Sequence, residues 1–374
     1  MTRLLIGGDF SPSYRIRPLI KNGNLSFLDD VRPLFADADF SIINFESVIA
    51  EEGKDSPIEK WGPNIKTGPE AVGAVKYLGA DMVTLANNHI RDYGADAMME
   101  TRRLLEQEGI QTVGIGKSLK DSAKIAYVDA GGKRIAVINC CENEFSVADD
   151  DSPGANPIDP VRQYYSIKEA RENADYVVVI THSGHEMCQL PSLRMKKNYR
   201  FFIDAGADAV VNHHQHCFSG YEVYKDKPIF YGLGNFCFDI MPYGSTIWNE
   251  GYLVELILSD TIGFTLHPYR QFYEEPKVTL LPDGAYSGRI DELNRIIADD
   301  SLHRTKIEEY YESTRRSTEN IVEPFTNRYI NALRFRGLFP KVITRKKKLQ
   351  LTNHLLCESH LDKLRYIVSH KKNS

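Results

Sequence analysis

Residues 174–182 read ADYVVVITH, and this stretch decides the fold. An Ala-Asp pair leads into an apolar, β-branched run that ends on a residue able to bind a metal, here His182. The same order recurs in ADFSIINFE (38–46), ADMVTLANN (80–88) and ADAVVNHH (207–214). Apolar runs without alternation are typical of strands buried on both faces of a sheet. Because ligands bind at the carboxyl ends of strands in open α/β sheets, we expect the four end residues to converge on one site.

The composition is that of a globular protein. The chain has 374 residues, 42% of them hydrophobic and 26% charged, and no apolar stretch approaches the roughly 20 residues of a membrane span. The N-terminus, MTRLLIGGDF, is too short for a signal peptide's apolar region, so we expect a cytoplasmic location. Six cysteines without CxxC spacing predict reduced thiols. No nucleic-acid-binding module is evident, so we expect no nucleic-acid partner.

Charge is unevenly distributed along the chain. From Arg328 onward twelve basic side chains stand against two acidic ones, a net +10, whereas the whole chain carries −5, which leaves −15 for the rest. Such a basic tail docks back on the acidic body, lies on an anionic membrane surface or contacts an anionic polymer. A solvated helical extension is an equally good interpretation. We therefore expect the protein to be cytoplasmic, or peripheral to a membrane if the tail contacts one.

The order of predicted elements indicates two sheets. Helical spacing at residues 69–78 and 94–108 alternates with buried strands in the first half, which is typical of a parallel sheet covered by helices. Three predicted hairpins follow, in AKIAYVDAGGKRIAVINC, YEVYKDKPIFYGLGNF and GYLVELILSD with TIGFTLHPYR. Two packed sheets flanked by helices accommodate both patterns. From about residue 286 the pattern is helical, so we place one domain at 1–285 and a basic helical extension at 286–374.

The residue types at the predicted strand ends indicate a metal site. Carboxylate, amide and imidazole groups without thiolates suit Mn²⁺, Fe²⁺ or Zn²⁺, with Mg²⁺ as a further candidate, and a shared carboxylate suits two ions. Paired ions activate a bridging water for hydrolysis. Six of the eleven histidines fall in three clusters at these ends. The candidate residues are Asp9, Glu46, Asn88, His89, His182, Glu186, His213, His214 and His216.

Several of these segments resemble the motifs of a known family. GGDFS, ADFSIINFES, GADMVTLANNHIRDYG, THSGHE and GADAVVNHHQHCFSGYEVYKDKPIFYGLGNFCFD are similar to the successive motifs of the CapA family of poly-γ-glutamate and capsule synthesis proteins, over about residues 4–239. That family in turn resembles the calcineurin-like metallophosphoesterases. The resemblance implies a four-layer α/β/β/α sandwich around two metals.

The resemblance also implies roles for individual residues. Asp9 corresponds to the aspartate of the first metal site, and Glu46 replaces the bridging aspartate. Asn88 corresponds to a ligand of the second metal, and His89 to the histidine that acts near the leaving group. From its position three residues after His89, Asp92 either orients that ring or is a helix N-cap or turn residue before Gly94. The remaining metal ligands are His182, His214 and His216. Residues expected to support the ligands or to contact substrate are Asn44, Asn87, Arg91, Glu186 and His213.

The chain also departs from these motifs. The phosphoesterase first motif is Asp-x-His, whereas Ser11 stands at the histidine position, so the first metal site is expected to bind more weakly. Asn212, Gln215 and Ser183 replace residues that the capsule family usually has beside its ligands. These changes affect the pocket wall rather than the metal ligands.

Three functions remain open on the sequence alone. The first is a metal-dependent hydrolase of a phosphoester, or of an amide, in the synthesis of an acidic surface polymer. The second is a non-catalytic accessory protein that binds or guides an anionic polymer, which the lost Asp-x-His histidine favours. The third is a scaffold or membrane-surface partner recruited through the basic tail. Expected partners are therefore an anionic polymer or phosphoester substrate and a polymer-synthesis complex.

Overall fold

The computed structural model describes residues 1–240, 246–322, 329, 332–333, 336–338 and 344–370. The strands are β1 (Thr2–Phe10), β2 (Phe40–Phe45), β3 (Val48–Ile49), β4 (Lys66–Thr67), β5 (Met82–Thr84), β6 (Gln111–Val113), β7 (Ile115–Gly116), β8 (Ala126–Ala130), β9 (Lys133–Cys141), β10 (Gly154–Ala155), β11 (Tyr176–His182), β12 (Ala209–His213), β13 (Tyr221–Tyr224), β14 (Lys227–Phe230), β15 (Asn235–Cys237), β16 (Glu250–Leu258), β17 (Gly263–Gln271) and β18 (Val278–Leu280). The α-helices are α1 (Ile16–Lys21), α2 (Arg32–Asp37), α3 (Ala71–Leu78), α4 (Gly94–Gln107), α5 (Leu119–Ser122), α6 (Pro160–Asn173), α7 (Leu193–Ala205), α8 (Ser287–Ala298), α9 (Asp300–Ser313), α10 (Arg315–Val322), α11 (Arg345–Leu356) and α12 (Glu358–Ser369).

The larger sheet has eight strands in the order β18-β17-β16-β1-β2-β5-β6, with β15 paired to β1. Strands β1, β2, β5 and β6 are parallel, whereas β16, β17 and β18 continue the sheet as an antiparallel meander. The predicted hairpin of GYLVELILSD with TIGFTLHPYR is confirmed as β16 and β17. The parallel half therefore directs several strand ends toward the same edge.

The second sheet has six strands in the order β13-β14-β12-β11-β9-β8. Its centre is parallel, and β8 and β13 pair antiparallel at the two borders. The two other predicted hairpins are confirmed here, as β8 with β9 and β13 with β14. The first of them turns on Gly131 and Gly132, which adopt φ angles of 55° and 75°. Glycine accepts such positive φ angles without a steric penalty.

Side chains along the central strands alternate between two buried layers. Leu5 packs outward against α1 to α4, whereas Leu4 and Ile6 enter the cluster between the sheets. In β11, Val178 joins the same inter-sheet cluster, and Val179 packs outward with residues of α6 and α7. Burial on both faces explains the continuous apolar runs. The layers are helix, sheet, sheet and helix, so the predicted four-layer α/β/β/α sandwich is confirmed.

Each Ala-Asp pair has a structural role at the start of its strand. The aspartate carboxylate accepts a hydrogen bond from the backbone N–H of the neighbouring strand, and its own N–H donates to the carbonyl of that same residue. In all four cases the distance between the backbone nitrogen and the aspartate Oδ2 is 2.8 Å. They join Asp39 to Arg3, Asp81 to Ser41, Asp175 to Arg134 and Asp208 to Val177. The repeat therefore fixes where adjacent parallel strands begin, and hence where they end.

The helical segment after residue 286 packs directly on the sandwich. Ile290 of α8 joins the inter-sheet cluster, and Ile297 joins the outer cluster of the second sheet. This first helix therefore shares the core of the two sheets. The predicted domain division at 285/286 stays a prediction. Among the described residues, none of the helices combines the length and the apolar character that a membrane crossing requires.

The buried Glu142 joins the C-terminal helices to the second sheet. Its carboxylate accepts hydrogen bonds from Ser359 Oγ at 2.5 Å, from Cys357 Sγ at 3.1 Å and from Arg194 Nη2 at 3.1 Å. Its backbone N–H donates to the carbonyl of His182, the last residue of β11. Burial opposes the charged form, but the Arg194 guanidinium and the other polar neighbours lower the pKa of Glu142 to about 2. The charged carboxylate thus fastens α12 beside the strand ends.

We predict that Glu142→Gln destabilises the protein by about 3 kcal/mol at neutral pH, because it leaves buried donors with a weaker partner. Since the folded pKa of about 2 lies below the ordinary 4.5, this stabilisation is present above about pH 4.5 and is lost as the pH falls toward 2. Urea unfolding of the two proteins at neutral and acidic pH measures the difference.

Glu59→Gln is the matched control for this experiment. Glu59 pairs with Arg345 at the start of α11, but both side chains are largely exposed, so its loss should change stability by less than about 1 kcal/mol. The role assigned to Glu142 would be contradicted if the two substitutions lowered the free energy of unfolding equally. It would also be contradicted if the loss of stability caused by Glu142→Gln did not become smaller at acidic pH.

Candidate metal centre

Asp9 and Asn44 lie side by side where β1 and β2 end. They are register partners, and Asn44 Nδ2 donates to Asp9 Oδ1 at 2.7 Å. The Thr84 hydroxyl, at the end of β5, donates to Asn44 Oδ1 at 3.1 Å and so fixes the orientation of the amide. The other Asp9 oxygen lies 3.4 Å from the backbone nitrogen of His214. Both residues are buried, so the parallel strands of the larger sheet position the first candidate ligand.

Glu46 is a fully buried carboxylate without a hydrogen-bond donor. It follows β2 directly, and neither of its oxygens has a hydrogen-bond partner among the described residues. Its Oε1 instead faces the Nε2 atoms of His182 at 3.5 Å, His216 at 3.7 Å and His89 at 4.0 Å. Burial and the nearby Asp9 raise the pKa of Glu46 well above its ordinary value. A carboxylate buried in this way is costly unless a cation compensates it.

His182 and His214 bring the second sheet into the same cluster. His182 ends β11, and its Nε2 lies 3.1 Å from both Asn88 Oδ1 and His214 Nδ1. Burial and the neighbouring imidazoles lower the pKa of His182 well below its ordinary value, which keeps the ring neutral as a metal ligand must be. His214 has a φ of 89°, which is rare for a residue other than glycine. Such strain is typical of functional sites.

His216 is oriented by Asn235. The Asn235 amide donates to the carbonyls of His216 and Trp248, so its Oδ1 is left to accept from His216 Nδ1 at 3.0 Å. The proton on Nδ1 leaves Nε2 free on the side of Glu46. The ring also packs against Trp248 and Phe238, with centroid distances of 4.7 and 5.3 Å. A hydrogen bond behind a histidine ring is a common support of metal ligands.

These side chains form three overlapping groups in which the candidate ligand atoms lie within 4.8 Å of one another. Glu46 belongs to two of the groups, which suits a carboxylate shared by two ions. The donor set and the unpaired Glu46 fit a divalent cation of the Mn²⁺, Fe²⁺ or Zn²⁺ type. The number and identity of the ions stay predictions. The groups are Glu46 with His182 and His214, Asp9 with Glu46 and His216, and Glu186 with His214 and His216.

His213 lies at the end of β12, directly beside His182 in the sheet register. It is buried, and within the described part of the chain neither ring nitrogen has a hydrogen-bond partner, although Nδ1 comes within 3.4 Å of Asp9 Oδ1. Burial lowers its pKa to about 3. The structure therefore places a neutral imidazole against Asp9, where it can support that carboxylate or bind the same ion.

His89 is held by a buried ion pair. Its Nδ1 lies 2.7 Å from Asp92 Oδ2, and the other Asp92 oxygen pairs with Lys60. Lys60 Nζ is also 3.3 Å from His89 Nδ1, and its side chain is only 4% exposed. Burial and the Lys60 charge lower the pKa of His89 to about 4. Asp92 thus orients the ring so that Nε2 is directed toward Glu46.

The other predicted site residues occupy different positions. Asn87 is buried and braces the loop, since it donates to the Phe45 carbonyl and accepts from the His89 backbone N–H. Glu186 lines a cavity above the cluster and shares a candidate ligand group. Arg91 is half-buried and lies outside the residues that line this cavity.

The sequence matches the family model described as bacterial capsule synthesis protein PGA_cap over residues 3–240. The chain belongs to this family. It is 32% identical to the capsule biosynthesis protein CapA of Bacillus anthracis, over 68% of this chain and 63% of that protein. It is 34% identical to the PGA biosynthesis protein CapA of Bacillus subtilis, over 59% and 58% of the two chains.

A third relative carries a different name. The "probable polyglutamine synthesis accessory protein" of Mycobacterium tuberculosis is 29% identical, over 59% of this chain and 60% of that protein. The chain thus spans less than two thirds of the length of these curated relatives. All the candidate ligands of this PGA_cap member lie inside the matched range, whereas α8 to α12 lie beyond it.

Sequence reasoning did not identify several residues that build this PGA_cap site. Lys60 stands in a polar stretch that has no strand or helix signal, so its pairing with Asp92 could not be foreseen. Asn139 lies inside an apolar strand and bridges the sheets, accepting from the Ala86 N–H and donating to the Ile180 carbonyl. The sequence did contain one indication of this role for Asn139, since it is a polar side chain within an otherwise apolar, buried strand. Ser11, at the position of the Asp-x-His histidine, is buried and its hydroxyl has no partner.

We predict opposite effects of Glu46→Gln with and without metal. In chelator-treated protein the substitution removes a buried carboxyl group whose charged form is unfavourable, so it should leave the melting temperature equal or higher. Saturating Mn²⁺ or Zn²⁺ should stabilise the wild type, by about 2.7 kcal/mol at a hundredfold excess over the dissociation constant. Glu46→Gln should lose most of that gain. Thermal unfolding with and without each ion measures both effects.

Asn44→Asp is a matched control because it adds a carboxylate beside Asp9 instead of removing one. It should destabilise the chelator-treated protein while retaining a metal-dependent rise in melting temperature. If the wild type shows no metal-dependent rise, the assignment of this cluster as a metal centre is wrong.

Proposed function

We propose that this PGA_cap protein is a divalent-metal-dependent hydrolase that cleaves a phosphoester during the synthesis of an acidic surface polymer. The observation that carries the proposal is the unpaired, fully buried Glu46 among three imidazoles, one of which belongs to the His89–Asp92 pair. A site that only bound a polymer would not require a buried carboxylate and a separately oriented histidine together.

The residues that would hold two ions are those of the ligand cluster. When bound, the ions would neutralise phosphoryl charge and supply an activated water. The protein's own contribution is to keep the imidazoles neutral by burial and to hold the carboxylates in fixed positions. The proposed ligands are Asp9, Glu46, Asn88, His182, His214 and His216.

His89 is the proposed general acid. Asp92 holds its Nδ1, so Nε2 is the atom available to protonate a leaving oxygen. In the protein without substrate, burial and Lys60 keep the His89 pKa near 4. A phosphoester would bring negative charge beside Nε2 and favour the imidazolium form. The proposed chemistry therefore couples substrate binding to the protonation of this residue.

The polymer context comes from the relatives' names. The two Bacillus relatives are named for capsule and PGA biosynthesis. We propose that this chain works in a comparable process, with a phosphoester precursor or phosphoester-containing anionic polymer as its substrate and poly-γ-glutamate or another anionic polymer as the product of the pathway. A polymer-synthesis complex and a cytoplasmic location belong to the same proposal.

An accessory role is the second candidate function. Ser11 in place of the motif histidine favours it, as does the name of the mycobacterial relative. In that case the protein would bind or guide an anionic polymer without cleaving it.

Membrane or scaffold recruitment by the basic tail stays a prediction. Within the described part of the tail, Arg345 pairs with Glu59 and Lys346 lies 5.6 Å from the Trp61 ring centroid, so part of the basic charge contacts the body.

We predict that His89→Ala selectively impairs hydrolysis of esters with poor leaving groups. General acid catalysis contributes about 10²–10⁴-fold, and a poor leaving group depends on it most. Phenyl phosphate turnover by Mn²⁺-loaded protein should therefore fall far more than 4-nitrophenyl phosphate turnover. Steady-state rates with both esters, after chelation and refilling with metal, measure the difference.

Asn88→Ala serves as the control variant, because loss of a proposed metal ligand should reduce turnover of both esters alike. Equal losses for His89→Ala would contradict its role as general acid. If the metal-loaded wild type cleaves neither ester but binds a glutamate polymer, the accessory role is supported instead.

A further inference from the structure

A cavity of about 340 Å³ lies directly above the ligand cluster. Asn88, His89 and His214 line its inner end, and residues 60–63 form one wall. The opposite wall comes from the C-terminal helices, with Asn353 of α11 and Lys363 of α12 among its residues. This second wall lies outside the range of the family model, so the family's shared motifs do not determine it.

The C-terminal helices contact the body on both sides of the cavity. At one side the Arg345–Glu59 pair holds the start of α11 beside the 60–63 wall. At the other side Ser359 is bonded to Glu142, and Arg194 donates to Asp362 of α12 at 2.9 Å. The buried contacts of Glu142 and the Arg194–Asp362 pair make this wall part of the folded site. The cavity volume is at the lower end of the range for small-ligand pockets, about 300–1,000 Å³.

Lys363 is the cation of this wall that has no ion-pair partner among the described residues. Its ammonium lies 5.9 Å from the Tyr310 ring centroid, and the side chain is half-buried. Lys60, the other lysine in the cavity, is already paired with Asp92. Burial lowers the pKa of Lys363, which is consistent with a charge that lacks close compensation.

Two acidic residues in the same cavity have other partners. Glu186 shares a candidate ligand group with His214 and His216, so a bound cation would take up its charge. Glu144 is hydrogen-bonded by Asn353, and burial raises its pKa to about 7, which reduces its charge at neutral pH. Lys363 is therefore the group of this wall that is available to a negatively charged ligand.

We propose that the cavity takes a small or chain-terminal substrate end-on, and that Lys363 determines specificity by binding an anionic group, a carboxylate or a phosphate, remote from the reacting ester. A cavity of this size, lined by residues 60–63 and by residues of α11 and α12, suits a chain end better than the middle of a polymer. The inference rests on the proposed function in one respect, since it places the reacting end of the substrate at the metal cluster.

Binding of non-hydrolysable phosphonates to the Mn²⁺-loaded full-length chain tests the proposal. The reference probe is phenylphosphonate, which has no remote anion. Two probes have a remote carboxylate, namely 4-phosphonobenzoate and its longer homologue 4-(2-carboxyethyl)phenylphosphonate. A fourth probe, 1,4-benzenediphosphonate, has a remote phosphonate. Titration calorimetry should show about tenfold tighter binding of at least one probe with a remote anion, the factor expected for one charge-assisted hydrogen bond. Comparing the carboxylate and phosphonate probes distinguishes the two anions.

Lys363→Met should abolish this preference while leaving phenylphosphonate binding unchanged, and Lys363→Arg should retain most of it. Arg365→Met is the matched control, because it removes the same charge from an exposed position on the same helix. Circular dichroism verifies that each variant is folded. Wild-type protein without any preference, or an equal loss in Arg365→Met, would overturn the proposal.

The outcomes separate this inference from the proposed function. A Lys363-dependent preference without phenyl phosphate turnover would support the specificity pocket and argue against the hydrolase. Turnover without a preference for the probes that have a remote anion would support the hydrolase and reject the role of Lys363.

Discussion

Two buried carboxylates, Asp9 and Glu46, lie at the edge where the two sheets meet, and the rest of the site depends on this arrangement. Two such charges repel each other and lose their hydration, so the fold must supply compensating groups. Asp9 receives Asn44 and a backbone N–H, whereas Glu46 receives only imidazoles at 3.5–4.0 Å. Neutral imidazoles compensate a carboxylate fully only through a shared cation. The cluster therefore has the composition of a candidate metal site, in which a cation would compensate Glu46.

Amide side chains hold this arrangement across the two sheets. Asn44 joins Asp9 to His182, and Asn235 fixes the tautomer of His216. Asn139 ties the loop before Asn88 to β11, and Asn87 closes the same loop on the end of β2. An amide offers both donors and an acceptor without adding charge. This choice positions ligands without increasing the repulsion among buried carboxylates.

The sequence predicted the layers and the strand ends because both follow from local rules. Continuous apolar runs required burial on both faces, and each Ala-Asp pair marked a strand start that the structure links to its neighbour by a hydrogen bond. Ligand-type residues at the ends of those runs therefore converged as expected. The Lys60–Asp92 pair and the Glu142–Ser359 contact could not be foreseen. They join segments 32 and 217 residues apart, and no periodicity specifies such contacts.

The basic C-terminal segment illustrates why net charge is a weak guide to position. Its charge of +10 suggested a surface or polymer contact, yet the described helices are held by polar residues, through Ser359 on Glu142 and Asp362 on Arg194. Arg345 contacts the loop that carries Lys60. The described helices α11 and α12 thus line the cavity above candidate ligands that lie in the PGA_cap range. In the proposed function, chemistry and specificity would therefore come from different parts of the chain: the matched range holds the candidate ligands, and helices beyond it line the cavity above them.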